Sequence, residues 1–210
     1  MPIAPAKPKF LVSKDLVATI VDLILSAWAT AITKKKIKND QDEPTIAGIL
    51  GDFMKKEKNR RNLKEQIRIE EEAGVRAHGS TKTSGWIDIK IIYSFDENEY
   101  FGIECKRVNS VGRKLALKYV EDGVMRFVDG RYALGHSLGL MLGFIVDNQK
   151  KRTIGAVKRE ISNHRIELHT TMNWRRERGY GGYPNLYRTG HEQYPSKSTI
   201  ILIHCFVMTP

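Results

Sequence analysis

Gly85-Trp86-Ile87-Asp88-Ile89-Lys90-Ile91-Ile92-Tyr93 and, after the polar stretch Ser94 to Glu99, Tyr100-Phe101-Gly102-Ile103-Glu104-Cys105-Lys106-Arg107-Val108 decide the fold. Both runs are rich in β-branched and aromatic residues and read as strands. The spacer has hairpin length. Residues two apart on a strand share a face. Alternation therefore puts Asp88 and Lys90 on one side of the first strand, with Ile87, Ile89, Ile91 and Tyr93 on the other. On the second strand Gly102, Glu104 and Lys106 share a face, opposite Phe101, Ile103 and Cys105. As hairpin neighbours, the strands would bring Asp88 together with Glu104 and Lys106 at one end of a sheet.

Working outward, a helix is expected from about Ser13 to Lys36, with Ser13 as N-cap and Lys34-Lys35-Lys36 at the dipole's negative end. A second helix opens at Glu43-Pro44, carries Ile46, Ile49, Leu50 and Phe53 at helical spacing, and runs out in Lys55 to Arg61. A charge-rich strand, Gln66 to Val75, precedes the hairpin. Beyond it come an amphipathic helix (Arg113 to Tyr132), a buried strand (Leu138 to Val146), a helix (Ile154 to Arg165) and a last apolar strand (Thr199 to Met208). This order implies an α/β fold, a central mixed sheet flanked by helices. At 210 residues, one domain is expected: a core over 43–146, elaborated by an N-terminal helix and a C-terminal helix and strand.

Hydrophobic content of 41% beside 28% charged residues excludes a disordered chain. The two cysteines, Cys105 and Cys205, sit in apolar runs a hundred residues apart. They form no zinc motif and read as buried thiols in a reducing compartment. Prolines at 2, 5 and 8 interrupt the apolar run that a signal peptide needs. Leu16 to Ile32 approaches the length of a membrane span but contains Asp22, Ser26 and two threonines, so it reads as a buried first helix. A soluble, cytoplasmic protein without a membrane partner is expected. The formal net charge of +11 favours an anionic partner, nucleic acid ahead of an acidic protein or a small acid.

Asp88, Glu104 and Lys106 suggest a chemistry. Two carboxylates close together repel each other and invite a divalent cation. Mg²⁺ takes oxygen ligands, commonly one or two carboxylates with waters and substrate phosphate. Asp88, Glu104 and the backbone carbonyl of Cys105 would be the protein's share. The cation would acidify a bound water and neutralise charge on a scissile phosphate. Lys106 would orient that water or stabilise developing negative charge.

Ile87-Asp88-Ile89 followed by Ile103-Glu104-Cys105-Lys106 resembles the signature of the PD-(D/E)xK, or restriction-endonuclease-like, nuclease superfamily, with Ile87 where the motif has proline. The resemblance implies a restriction-endonuclease-like core, metal binding by Asp88 and Glu104, and catalysis by Lys106. Many members also carry a glutamate on the helix before the sheet. Glu43 matches that place as a further metal ligand, with Glu57, Glu65, Glu70, Glu71 and Glu72 as competitors. Lys118-Tyr119 and Gly123-Val124-Met125-Arg126-Phe127 resemble the family's post-core helix, where a basic residue faces phosphates; Lys118 and Arg126 are the candidates. The likeness covers roughly Glu43 to Val146.

Trp174 to Pro184 mixes Arg175, Arg176 and Arg178 with aromatics and glycines. It reads equally as a nucleic-acid-gripping flap or as a long exposed loop. Lys55 to Arg61 reads as a solvated helix face. His204 lies in the last strand on the face of Ile200, Leu202 and Phe206, as a satisfied core histidine would. Ser162-Asn163-His164 is a lesser candidate to approach the site. No GxxxxGK[ST] loop is present, and no nucleophilic triad is evident.

The expectation is a nuclease dependent on Mg²⁺ or Mn²⁺, hydrolysing phosphodiester bonds in DNA, in a prokaryotic restriction or defence role by analogy of fold. The alternatives are a catalytically inactive nuclease-fold DNA-binding module and a regulatory subunit meeting an acidic protein. RNA cleavage shares the same metal chemistry. A homodimer would suit a double-strand cutter, and a partner protein could supply target choice.

Overall fold

The Ser13 side chain accepts a hydrogen bond from the Leu16 amide, and helix α1 (Lys14–Thr33) starts behind that cap. The computed structural model describes residues 6–63, 66–76, 83–194 and 196–210. The first two prolines of the N-terminal segment and Glu65 lie outside these. By length and composition α1 could cross a membrane. Here its Val17, Ile20, Val21, Leu23 and Ile24 are buried in the core against helix α2 (Glu43–Arg60) and the sheet. Asp42 caps α2 by accepting from the Thr45 amide, and Pro44 sits in the first turn, where it has no hydrogen bond to lose.

Seven strands form one mixed sheet: β1 (Arg68–Arg76), β2 (Thr83–Ile92), β3 (Tyr100–Val108), β4 (Leu138–Ile145), β5 (Thr170–Arg176), β6 (Leu186–Glu192) and β7 (Thr199–Met208). Their order is β1-β2-β3-β4-β7-β6-β5. The central β3, β4 and β7 run parallel, and antiparallel wings β1-β2 and β6-β5 extend from them. β4 is buried along its whole length, as expected of a parallel strand covered on both faces. α1 and α2 cover one face of the sheet. On the other, α3 (Lys114–Tyr119) continues through a π-helical turn (Val120–Val124) into α4 (Met125–Val128), beside α5 (Lys150–Asn163).

The boundaries of β3 and β7 agree with the sequence reading to the residue. The expected helix 113–132 stops at Val128, where Asp129 and Gly130 follow, the latter at φ 73°. The structure adds β5 and β6, and Trp174, Arg175 and Arg176 belong to β5 rather than to a loop. No apolar alternation announces these strands, because β6 buries Thr189, Gly190 and His191.

Those polar groups are satisfied by a chain with one possible direction. His191 Nδ1 lies 2.9 Å from the Leu168 carbonyl, which can only accept, so Nδ1 carries the proton and Nε2 accepts. Thr189 therefore donates to His191 Nε2 (2.7 Å) and accepts from His204 Nε2 (2.8 Å). That leaves His204 Nδ1 to accept from the Tyr119 hydroxyl (2.9 Å). His204 is thus a satisfied core histidine. Burial lowers the pKa of both imidazoles, that of His191 to about 4.

Strict alternation fails on β2. Ile89 and Ile91 pack beneath α1 and α2 and Ile92 on the α3 side, as alternation requires, but Ile87 also packs on the α3 side. β1 turns over at the same level, with Ile69 in the first core and Ala73 in the second. The turnover lies between the pairs Glu71–Ile89 and Ala73–Ile87, where Glu72 adopts φ 44°. Asp88 thereby leaves the face of Lys90, which lies over the Tyr100 ring, and joins a cleft beside α2. On β3 the expected faces are observed, and Ile87, with Tyr100 close behind, fills the space that a side chain at Gly102 would take.

Candidate active site

The turnover also ends the β2–β3 ladder at Ile89–Ile103. One step further the Cys105 amide donates to Asp88 Oδ2 at 2.6 Å, so the carboxylate takes the place of a strand partner. Across the sheet, Glu43 in the first turn of α2 accepts from Lys106 Nζ (2.7 Å) and from the Arg107 amide (2.8 Å). The start of α2 is thereby fixed to the end of β3.

Lys106 Nζ lies 2.7 Å from Glu43 Oε1, 2.8 Å from Glu104 Oε1 and 2.9 Å from the Cys105 carbonyl. Its three protons are matched by three oxygens from different groups. Glu104 is 1% exposed, and its Oε2 is buried without a hydrogen-bond partner. Arg126 approaches Glu104 Oε1 at 3.4 Å and donates to the Tyr132 hydroxyl, which in turn donates to the Trp86 carbonyl. Trp86 itself is 66% exposed, two residues from Asp88.

Burial, then the charge of Asp88, pushes the Glu104 pKa up to about 8, against the pull of Lys106 and Arg126. Burial likewise raises that of Asp88, opposed by the Cys105 amide. Burial alone would lower the Lys106 pKa, but Glu104 and Glu43 outweigh it and hold it above the usual lysine range. The ammonium form is therefore favoured.

A cleft of about 250 Å³, lined by Pro44, Ala47, Gly48, Glu71, Glu72 and Asp88, opens beside the cluster. Among the competing glutamates, Glu71 and Glu72 line this cleft, and Glu71 pairs with Lys55 at 2.8 Å. Glu57 pairs with Arg60 and Arg61, and Glu70 with Arg68, on other surfaces. Among the described candidates for the glutamate preceding the hairpin, Glu43 joins Glu104 on Lys106.

Among the described residues no three His, Cys, Asp or Glu side chains form a ready metal cage. Asp88, Glu104 and Glu43 are instead linked through the Cys105 peptide and the Lys106 ammonium. The donor set suits a hard divalent cation, being carboxylates and a carbonyl. A cation at Glu104 Oε2 would give that oxygen a partner and keep the carboxylate ionised.

Of the expected nucleic-acid contacts, Arg126 belongs to the cluster, and Lys118 is exposed on α3. Arg175, Arg176 and Arg178 are exposed on or just after β5. β5 lies four strands from β3, roughly 19 Å at the usual strand spacing, so these arginines do not join the cluster. His164 caps α5 and bonds to the Glu160 carbonyl, its ion-pair partner also being Glu160 rather than a member of the cluster. Tyr132 and Trp86 were not foreseen, since no spacing in the sequence links them to Arg126. Comparison of the chain with protein-family models, curated proteins and solved structures finds no match.

Proposed function

We propose that the chain is a nuclease of the PD-(D/E)xK type that hydrolyses phosphodiester bonds in DNA with Mg²⁺ or Mn²⁺. The observation that carries this reading is the oxygen cluster around Lys106, in which Glu104 keeps a buried oxygen without a partner. Glu71 and Glu177, each in an ion pair, also keep one buried oxygen without a hydrogen-bond partner, so what sets this site apart is the meeting of Glu43, Glu104 and the Cys105 carbonyl on one ammonium beside Asp88. The element order α2-β1-β2-β3-α3/α4-β4 and the net charge of +11 support the same reading. A restriction-endonuclease-like core, a cytoplasmic setting and a restriction or defence role are parts of this proposal.

Asp88, Glu104 and the Cys105 carbonyl would hold the cation, with Glu43 as a further oxygen. When bound, the cation supplies an acidified water and neutralises charge on the scissile phosphate. The Cys105 amide fixes the Asp88 carboxylate before substrate arrives. Held toward its ammonium form by Glu104 and Glu43, Lys106 would serve as a charge beside the attacking water or the developing phosphate oxygen. Arg126, held by Tyr132, steadies Glu104 and adds a second positive charge.

Plasmid cleavage with Mg²⁺ or Mn²⁺, with and without chelator, tests this in wild type, Asp88→Ala and Lys106→Ala. Chelator-sensitive cutting that disappears in both variants is expected. Cutting undiminished in both would overturn the assignment. DNA binding without cutting by the wild type would replace it with the inactive binding module.

A further inference from the structure

Helix α5 reads Lys-Lys-Arg-Thr-Ile-Gly-Ala-Val-Lys-Arg-Glu-Ile-Ser-Asn from residue 150, and its single acid, Glu160, is buried and paired with Arg113. Lys151, Arg152, Lys158 and Arg159 are exposed, and among the described residues none of them takes part in an ion pair. Lys151 and Lys158 are seven residues apart, as are Arg152 and Arg159, so each pair repeats after two turns, about 10.5 Å along the axis. The four cations form two rows on the solvent side of the helix.

Gly155 sits at the centre of that array, three or four residues from each of the four. It is exposed in mid-helix, and a Cβ built on it would meet nothing within 4 Å. The fold therefore has no steric need for glycine there, while glycine is among the poorest helix formers. A bare stretch of backbone ringed by unpaired cations is a floor onto which a bulky anion can settle closely.

We infer that the outer face of α5 is a docking surface for the phosphate backbone of nucleic acid, with Gly155 as its point of closest approach. This rests on the nucleic-acid reading of the chain but not on catalysis. The alternative polyanion, an acidic membrane surface, fits less well. The apolar side of α5 (Ile154, Val157, Ile161) is spent in the core, and the exposed large apolar residues nearest in sequence, Val111 before α3 and Ile166 after α5, lie outside both helices.

The test is fluorescence anisotropy of a labelled 30-base-pair duplex in EDTA, so that binding is read without cleavage. The variants are the quadruple alanine at Lys151, Arg152, Lys158 and Arg159, and Gly155→Leu. A second quadruple alanine, at Lys7, Lys34, Lys36 and Lys38, removes equal charge elsewhere. The α5 quadruple is expected to lose at least tenfold in affinity and to flatten the salt slope by about three to four. Gly155→Leu is expected to bind several-fold more weakly while its Tm rises, which a merely structural glycine would not produce. Loss in the charge-matched control as large as in the α5 quadruple would overturn the inference, as would unchanged binding by Gly155→Leu. Binding of the wild type to phosphatidylserine vesicles but not to duplex would also overturn it. Asp88→Ala separates the two proposals: failure of cleavage leaves this surface standing if the binding differences hold. Asp88-dependent cleavage with a fully binding α5 quadruple removes this surface alone.

Discussion

The Cys105 amide and the Asp88 carboxylate are joined at 2.6 Å where β2 and β3 stop pairing after Ile89 and Ile103. Asp88 therefore stands in for the strand partner where these two inner strands part, and also presents an acid to the cleft beside α2. These two roles can be separated. Asp88→Asn keeps an oxygen for the amide and removes a charge that burial disfavours. The variant should fold with a Tm at or above that of the wild type in chelator. It should also lose the rise in Tm that Mn²⁺ gives the wild type, together with at least a hundredfold of cleavage. Differential scanning fluorimetry with and without Mn²⁺ checks this, and a full Mn²⁺ shift in Asp88→Asn would remove Asp88 from the cation site.

The hairpin that carries Asp88, Glu104 and Lys106 was legible because its apolar runs are long and interrupted by charge at few positions. Period two on β3 gave the faces of Glu104 and Lys106 correctly. It failed on β2, because the turnover at Asp88 depends on Glu72 adopting φ 44° on the neighbouring strand, and no pattern within β2 reports that. β5 and β6 were hidden for another reason. Thr189 and His191 are core residues by virtue of a hydrogen bond accepted by Thr189 from His204 of β7 and one donated by His191 to the Leu168 carbonyl, and such partners are visible only in three dimensions. Glu43 could be named from its place before the sheet, but its bond to the Arg107 amide could not.

Gly139 tests how closely the α4 side of the sheet supports the cluster. A Cβ there would lie 2.7 Å from Phe127 Cε1, 3.0 Å from Cδ1 and 3.2 Å from Leu202 Cδ2. The ring is fully buried and cannot swing aside, so Gly139→Ala should cost about 1–3 kcal/mol. Because Phe127 adjoins Arg126, the displacement should also reduce cleavage, though by less than loss of Asp88. Urea denaturation paired with cleavage rates checks both. Wild-type stability would show that α4 yields freely.

The chain from Tyr119 to Leu168 should be indispensable to folding. Thr189→Val removes the donor to His191 Nε2 and the acceptor for His204 Nε2, leaving two buried groups unpaired. A loss of about 2–6 kcal/mol is expected, at about 1–3 for each group. The same chain predicts acid sensitivity. With the folded pKa of His191 lowered to about 4 from 6.5, the unfolded chain binds the extra proton first. Stability is therefore unaffected above pH 6.5 and lost as pH falls toward 4, by about 3 kcal/mol for this residue. Denaturant midpoints from pH 7.5 to 4 measure it, and a flat profile would mean that His191 is solvated.

Glu104 should act in the opposite direction and at higher pH. Its folded pKa, raised from 4.5 to about 8, makes the native state the stronger proton binder. Its contribution is fully present below pH 4.5 and declines as pH rises through 8, amounting to a few kcal/mol in the cation-free protein. Glu104→Gln should abolish this decline and be the more stable protein at pH 8 in chelator, since a neutral amide escapes the penalty of burying a charge. Saturating Mn²⁺ should flatten the wild-type profile in the same way, because a cation at the carboxylate favours its ionised form. Thermal melts of both proteins at pH 6 and pH 8, in EDTA and in Mn²⁺, give the four comparisons. If Mn²⁺ leaves the wild-type decline unchanged, Glu104 holds no cation, and the cluster around Lys106 is an ion pair only.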